Sequence, residues 1–346
     1  MGASPRKSKS LARPDNGLSR RRFLALAGAA AAVGPAVWPR GANAAKVTMK
    51  VAHVLTEADI IHRATTKFKE FAEKKAGGEL EVQIYPTSAL GSLRVTWESM
   101  QLGNLEGGNW DTVTPAMMVP QYAGTELPFI FRDLDHVHKV FDGPIGQDLE
   151  KQLMDKAKVR TVAVYDTTFR KIFTKAKAIN SLADMKGLKI RVPEAQNYVR
   201  CMQFLGANPT PVPWGELYTA LQMGVVEGFE NKCEAAFNAK LHEQTKFAAY
   251  TGHIFCPNPF LSSERWFAKL SKNVQQAIVE GGKESLEWQR KEAPISEKAF
   301  EQKLKDAGMT FTSPDRVAFQ KAVEPFYKEW GDKYAGNDLI KKIREA

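Results

Sequence analysis

Apolar and polar positions follow each other along the first part of the chain in a rhythm that predicts a layered α/β protein. Residues 47–51 and 80–84 alternate between apolar and polar side chains, which is the pattern of a half-buried strand. The stretches 61–75 and 93–102 place apolar residues at helical spacing. A further strand is predicted over 106–114, and a helix-rich stretch is predicted over 135–156. Strands and helices that take turns in this way are typical of a mostly parallel sheet flanked by helices.

The same rhythm restarts after Phe169, which predicts a second unit of the same kind. A strand is predicted over 188–192, and helices are predicted over 197–205 and 214–223. A strand over 225–229 follows. The chain is therefore expected to build two lobes rather than one.

The last third of the chain reads mostly as helix. A long helix with a polar face is predicted from Ser271 to about Leu304, with an interruption near Pro294. Two further helices are predicted over 314–330 and 338–344. The boundaries that we predict are residues 45–167 plus 257–296 for the first lobe and 168–256 plus 297–346 for the second.

The N-terminus carries the pattern of an export signal. Ser19–Leu24 reads SRRRFL, and an apolar segment of about 13 residues follows, shorter than the roughly 20 residues that a membrane-spanning helix needs. Ala42–Ala44 has the small-x-small pattern that a signal peptidase cuts. We interpret residues 1–44 as a twin-arginine signal peptide cleaved near Ala44, which predicts a periplasmic protein. The alternative is a basic tail followed by an amphipathic surface helix.

The leader explains most of the net charge. Residues 1–44 hold eight Lys or Arg and one Asp, so the rest of the chain has a net charge of +3, against +10 for the whole sequence. No basic stripe with interleaved aromatics follows. We therefore expect no nucleic-acid partner.

Sequence motifs of enzymes and metal sites are absent. The chain has no GxSxG, no P-loop, no GxGxxG after a strand and no HExxH. Cys201, Cys233 and Cys256 show no metal-ligand spacing, and the i, i+2 pair His136 and His138 does not share one helix face. We predict a protein that is not an enzyme and has no cofactor or metal. Whether two of the cysteines form a disulfide is left open.

Arg191 is the clearest candidate for ligand binding from the residues alone. It stands between Ile190 and Val192 in a predicted strand that ends at Pro193. A guanidinium on a strand end presents a planar fork that fits a carboxylate, and ligands bind at strand ends in open α/β sheets. The alternative is a surface arginine paired with a glutamate.

Several long motifs lie in the second half of the chain. They read ADMKGLKIRVP at 183–193, LGANPTP at 205–211, WGELYTALQ at 214–222 and GVVEGFEN at 224–231. Upstream, LPFIFRD at 127–133 and DGPIG at 142–146 belong to the same pattern. The chain that carries them closely resembles the solute-binding proteins of tripartite ATP-independent periplasmic (TRAP) transporters, the DctP-type family, over nearly all of its mature length.

The resemblance implies a two-lobed periplasmic binding protein fold, in which each lobe is a mostly parallel sheet flanked by helices and a long helix spans both. It also implies that the lobes close on an organic acid, which is then delivered to the membrane permease subunits of a TRAP transporter. A four-carbon dicarboxylate is the first expectation for the ligand, followed by sugar acids, 2-oxo acids and aromatic acids. The alternatives are an exported enzyme that carries a cofactor, and a periplasmic sensor partner that binds the same acid.

The resemblance also places five residues in the ligand site. The arginine of the LKIRVP motif falls on Arg191, a second family arginine on Arg170 and an asparagine on Asn231. Trp214 is expected on the floor of the pocket and Glu57 in a loop of the other lobe. The alternatives are a brace of the chain crossing between the lobes for Arg170, a turn for Asn231, the core for Trp214 and an exposed loop for Glu57.

Two further sets of residues bear on specificity. Tyr198, Phe229 and Trp110 are aromatic candidates for the cavity wall, with the core as the alternative. Phe229 and Lys232 depart from the family pattern, which has Gln and Pro at these positions, and Thr167-Thr168 replaces a turn of small residues. Phe229 makes one wall more apolar and Lys232 can add a positive charge, so both leave the identity of the ligand open.

Overall fold

The computed structural model describes residues 46–346, together with Gly2. The predicted signal peptide and its cleavage site near Ala44 lie outside the described residues. Within residues 46–346, no helix combines the length and the apolar composition that crossing a membrane requires.

Eleven strands and eleven α-helices are assigned in the described part of the chain. The strands are β1 (Val47–Ala52), β2 (Leu80–Tyr85), β3 (Gly107–Asn109), β4 (Val159–Tyr165), β5 (Lys171–Thr174), β6 (Lys189–Val192), β7 (Asn208–Pro211), β8 (Gly228–Asn231), β9 (Phe247–Ala249), β10 (Asn258–Ser263) and β11 (Thr310–Thr312). The helices are α1 (Ile60–Lys75), α2 (Leu93–Gln101), α3 (Leu134–Phe141), α4 (Pro144–Gln152), α5 (Gln196–Phe204), α6 (Leu217–Gln222), α7 (Cys233–Asn238), α8 (Glu264–Phe267), α9 (Lys272–Asp306), α10 (Arg316–Tyr334) and α11 (Asn337–Glu345).

Two separate sheets confirm the two-lobed α/β architecture. The first sheet has the strand order β2-β1-β3-β10-β4, with β1 parallel to β2 and β3 and with β10 antiparallel to its neighbours. The second sheet has the order β11-β9-β5-β8-β6-β7. We call the unit around the first sheet the first lobe and the unit around the second sheet the second lobe.

The chain enters and leaves each lobe through strands. After β4 it passes from the first sheet to β5 in the second sheet, and it returns from β9 to β10 in the first sheet. Strand β5 runs antiparallel to β8 and β9, while β8, β6 and β7 are parallel. The carboxyl ends of β6 and β8 therefore lie at one edge of the second sheet, where open α/β sheets place their ligands.

Helix α9 spans both lobes, and its continuity corrects one prediction. The sequence predicts an interruption near Pro294, but the helix runs unbroken for 35 residues, about 52 Å at 1.5 Å per residue. The first half packs on α1, where a Cβ at Gly281 would lie 2.9 Å from the Cβ of Ala72. The second half packs Phe300 and Leu304 into the core of the second lobe. Packing on both sides outweighs the one backbone hydrogen bond that the proline removes.

The last two helices contact both lobes. Phe319 and Val323 near the start of α10 join the core of the second lobe. Trp330 and Ile340, further along, pack with Phe131 beside the first lobe. The assignment of residues 297–346 to the second lobe stays a prediction for the end of this segment.

Of two other predictions, the strand is shorter than expected and the helix-rich stretch contains two helices. The strand predicted over 106–114 ends at Asn109, because the Asp111 carboxylate accepts the backbone NH of Thr114 at 2.8 Å and turns the chain. The helix-rich stretch predicted over 135–156 divides into α3 and α4, because Pro144 disfavours a helical residue before it.

All three cysteines are buried free thiols. Cys201 lies on the buried side of α5, Cys233 begins α7, and Cys256 lies between β9 and β10. Burial raises the pKa of each thiol above its ordinary value. They are therefore small apolar core residues in this fold.

Candidate functional site

A cavity of about 560 Å³ lies between the two sheets. It falls within the range of small-molecule binding sites. The first lobe contributes residues that follow β1 and β3, such as His53 and Asp111. The second lobe contributes residues at the ends of β6 and β8, such as Arg191 and Asn231. The site is thus built at strand ends on both sides.

Arg191 is held rigidly with its charge facing this cavity. Its side chain is 3 % exposed, and its Nε and Nη2 donate to the carbonyl oxygen of Val212 at 2.8 and 2.6 Å. Its guanidinium carbon lies 5.7 Å from the ring centre of Trp214. Within residues 46–346 no hydrogen bond of Nη1 is found and no carboxylate forms an ion pair with the group. The guanidinium is therefore oriented but not neutralised.

Burial makes the charge on Arg191 costly but does not remove it. Burial lowers the pKa of Arg191 to about 10, while the charge of Glu230 acts in the opposite direction and the charge of Arg170 in the same one. At neutral pH the guanidinium therefore stays protonated. A cation that is buried without a direct partner is favourably placed to receive an anion.

Arg170 also lines the cavity, but its charge is already compensated. Its Nε donates to Glu230, and its Nη2 donates to the Glu230 carboxylate and carbonyl oxygens, each at 2.8 Å. Its guanidinium carbon lies 5.1 Å from the ring centre of Tyr198. The Glu230 carboxylate raises the pKa of Arg170 although burial acts to lower it. This geometry supports the alternative role of a structural brace.

Two of the other three predicted site residues line the cavity, and one does not. Trp214 and Asn231 both line it, and the Asn231 side-chain oxygen accepts the backbone NH of Lys232 at 2.9 Å. Tyr198 lines it as well. Glu57 lies on an exposed loop before α1 and is not among the described residues that line the cavity.

Two of the aromatic candidates belong to the core instead. Phe229 is fully buried and stacks on Phe173, with ring centres 4.8 Å apart. Trp110 is fully buried, and its Nε1 donates to the Leu93 carbonyl at 3.0 Å. Neither is among the described lining residues. Phe229 therefore does not make the cavity wall itself more apolar.

Lys232 lines the cavity and links the two lobes. Its Nζ lies 2.8 Å from Asp59, the residue that caps α1 in the first lobe, and 3.1 Å from Glu234 on α7 in the second. Burial acts to lower the pKa of Lys232, but these two carboxylates raise it above its ordinary value. The positive charge of Lys232 is thus used within the protein.

Replacing Lys232 with methionine is expected to lower the free energy of unfolding by about 3–5 kcal/mol at pH 8, because Asp59 and Glu234 lose their buried partner. The loss should be smaller at pH 5, because burial raises the pKa of Glu234 and its carboxyl takes up a proton more readily once the Lys232 ammonium is gone. Thermal unfolding followed by circular dichroism at both pH values measures this. Lys305→Met, which removes a half-exposed partner of Glu301, is the control and should cost little. An equal, small loss for both variants would contradict the interlobe ion pair.

Three residues near the cavity escaped the sequence reasoning. Glu126 is fully buried, accepts the backbone NH of Thr112 at 2.9 Å and accepts the hydroxyl of Tyr198. Burial, aided by the charge of Asp111, raises the pKa of Glu126 to about 7. Asn109 and Asp111 line the cavity. In the sequence all three are ordinary polar residues, without a motif that singles them out.

The histidines give no sign of a metal centre in the described part of the chain. His53 lines the cavity, and its Nε2 lies 3.1 Å from Nδ1 of His62. Burial lowers the pKa of His53 to about 4, so the ring is neutral at pH 7. No group of three or more His, Cys, Asp or Glu side chains within residues 46–346 is placed to hold a metal ion.

The chain is similar in sequence to known solute-binding proteins. Residues 51–333 match the family model described as bacterial extracellular solute-binding protein, family 7. The C4-dicarboxylate-binding periplasmic protein DctP of Rhodobacter capsulatus is 28% identical over 339 residues, which cover 95% of this chain and 99% of the relative.

Solved structures show the same fold. A TRAP periplasmic solute-binding protein from Xanthobacter autotrophicus Py2 with bound β-D-galacturonate has a TM-score of 0.82 and 30% identity, covering 86% of this chain and 99% of that one. A TRAP periplasmic solute-binding protein from Polaromonas sp. JS666 bound to D-erythronate has a TM-score of 0.83 and 31% identity, covering 86% and 98%.

Proposed function

The chain belongs to family 7 of the bacterial extracellular solute-binding proteins, and from this premise we propose that it captures an organic acid between its two lobes and delivers it to the membrane permease of a TRAP transporter. The solved relatives hold acids, namely galacturonate and erythronate. The relatives are solute-binding proteins, which supports capture without chemical change.

Arg191 is the observation that carries this proposal. Three buried cations line the cavity. Arg170 is paired with Glu230, and Lys232 is paired with Asp59 and Glu234. Among the described residues, Arg191 donates hydrogen bonds only to the Val212 carbonyl and has no carboxylate partner. A ligand carboxylate would complete the guanidinium with charge-assisted hydrogen bonds. Excluding water between the lobes would strengthen this attraction, because the local dielectric falls.

The relatives and the N-terminal sequence support a periplasmic site of action. Relatives such as the Rhodobacter capsulatus protein are described as periplasmic. The twin arginines at the N-terminus support export of the folded chain to that compartment, with cleavage near Ala44. The ligand would then be released to permease subunits in the inner membrane.

A thermal-shift screen of organic acids tests the proposal. A ligand at a hundred times its dissociation constant should stabilise the protein by about 2.7 kcal/mol. D-galactose is the matched control for D-galacturonate, because the two differ by the carboxylate, and it should leave the melting temperature unchanged. The bound acid should also be recovered chemically intact. The proposal is wrong if no acid shifts the melting temperature, or if galactose shifts it as much as galacturonate.

A further inference from the structure

The wall of the cavity that the first lobe provides presents hydrogen-bond acceptors. Asn109, at the end of β3, is 2 % exposed and lines the cavity. Its Nδ2 donates to the hydroxyl of Thr65 at 2.8 Å. That hydroxyl donates its own proton to the Ile61 carbonyl at 2.8 Å. Thr65 can therefore only accept from Asn109, which fixes the orientation of the amide.

The amide oxygen of Asn109 is consequently a buried acceptor in need of a donor. No hydrogen bond to this Oδ1 exists among the described residues. A buried carbonyl without a donor costs free energy, so nearly all such groups find a partner. A hydroxyl group of a ligand in the cavity would supply that donor.

Asn258 repeats this arrangement on the neighbouring strand. It begins β10, lines the cavity, and its Oδ1 also has no donor within residues 46–346. Strand β10 pairs with β3 so that Phe260 lies opposite Asn109. Continuing this antiparallel register by two residues brings Asn258 opposite Asp111.

Asp111 completes the wall. It lines the cavity, and one of its carboxylate oxygens accepts the backbone NH of Thr114 at 2.8 Å. A carboxylate offers further acceptor positions beyond this one. We call Asn109, Asp111 and Asn258 the acceptor wall.

We propose that the acceptor wall binds the hydroxyl groups of the ligand, so that the site selects a polyhydroxylated monocarboxylic acid over a dicarboxylic acid. This inference rests on the proposed function, because it takes the ligand carboxylate to lie on Arg191. The two sides of the cavity then differ in hydrogen bonding. The Arg191 guanidinium on the second lobe donates hydrogen bonds, and the acceptor wall on the first lobe accepts them. Hydroxyl groups donate to such a wall.

A second carboxylate does not fit this wall. An ionised carboxylate only accepts hydrogen bonds, so it would leave Asn109 and Asn258 without donors. It would also place a like charge near Asp111. Arg170, which also lines the cavity, is occupied by Glu230. The four-carbon dicarboxylate that the family resemblance puts first is therefore disfavoured here.

Calorimetric titration with four six-carbon acids separates the two chemical features. Hexanoate has one carboxylate and adipate has two, and neither has hydroxyl groups. D-Galactonate has one carboxylate and galactarate has two, and both carry hydroxyl groups. Galactonate is expected to bind at least tenfold more tightly than galactarate, adipate or hexanoate. Adipate or galactarate binding as tightly as galactonate would overturn the inference.

Variants of the wall assign the selectivity to residues. Asp111→Asn removes the charge at nearly constant shape, and we expect it to reduce the preference for galactonate over galactarate by about tenfold. Asn109→Leu and Asn258→Ala should each weaken galactonate binding about tenfold and thereby reduce its advantage over hexanoate. Circular dichroism tests whether each variant is folded. If Asn109→Leu does not fold, Asp111→Asn and Asn258→Ala still test whether the wall sets the selectivity. If the folded variants keep the wild-type ratios of affinity for galactonate over galactarate and over hexanoate, the acceptor wall does not bind the ligand hydroxyls.

The two proposals fail in different ways. If no acid of the screen binds, the proposed function is wrong. If acids bind and binding does not depend on Arg191, the carboxylate lies elsewhere and the acceptor wall loses its premise. If acids bind through Arg191 but dicarboxylates are preferred, or if another acid of the screen binds and galactonate does not, only the acceptor wall is wrong.

Discussion

Replacing Arg191 with alanine is expected to weaken binding of the acid by roughly a hundred- to several-thousand-fold at pH 7. Removing one member of a buried ion pair costs about 3–5 kcal/mol, and each 1.4 kcal/mol is a tenfold change in affinity. The guanidinium is fixed in advance by two hydrogen bonds to the Val212 carbonyl, so its orientation adds no ordering cost on binding. Arg191→Lys should also bind much more weakly, because an ammonium cannot reproduce the planar fork. Isothermal titration with the acid found in the screen measures both variants.

Arg94→Ala provides the matched control for this result. Arg94 also lines the edge of the cavity, but it is exposed and paired with Glu98 at 2.9 Å. Its removal should change the dissociation constant by less than about threefold. A folded Arg191→Ala protein that binds the acid within twofold of the wild type would show that the carboxylate lies elsewhere.

Replacing Glu230 with glutamine is expected to lower the free energy of unfolding by about 3–5 kcal/mol at pH 7. Glu230 is fully buried and Arg170 nearly so, and the substitution leaves the guanidinium without its counter-charge. Burial acts to raise the pKa of Glu230, but Arg170 holds it below the ordinary value. A carboxylate with a lowered pKa stabilises the fold above about pH 4.5 and loses that contribution as the pH falls further. The variant and the wild type should therefore converge in acid.

Thermal and denaturant unfolding from pH 3 to pH 7 measure this difference. Glu329→Gln is the control, because Glu329 pairs with Arg200 through two contacts at a solvent-exposed position. We expect that control to cost about 1 kcal/mol or less. If Glu230→Gln proved no more destabilising than Glu329→Gln, Arg170 would not act as a brace.

Long amphipathic elements were predictable from sequence, and short ones were not. The helices predicted over 61–75 and 197–205 agree with α1 and α5 to within one residue, because nine to sixteen residues carry enough apolar positions to reveal their spacing. Strands β5, β9 and β11 have only three or four residues, too few to show an alternation. Strand β7 reads Asn-Pro-Thr-Pro, and its two prolines are tolerated because it lies at the edge of the sheet.

The site was predictable only in part, because its electrostatics depend on long-range pairing. Arg191 was found from its place in a strand and from the family motif. The compensation of Arg170 depends on β5 and β8 lying side by side, although Arg170 and Glu230 are 60 residues apart. The acceptor wall depends in the same way on the pairing of β3 with β10. No local pattern contains such information.

The burial of all three native thiols makes site-specific labelling of introduced cysteines practical. Maleimide reagents need an accessible thiolate, and none of Cys201, Cys233 and Cys256 offers one. Cysteines introduced at two exposed rim positions, Ala89 on one side of the cleft and Glu216 on the other, would then take up spin labels or fluorophores selectively. Distances between such probes, with and without an acid, would follow the movement of the lobes in an otherwise unaltered chain.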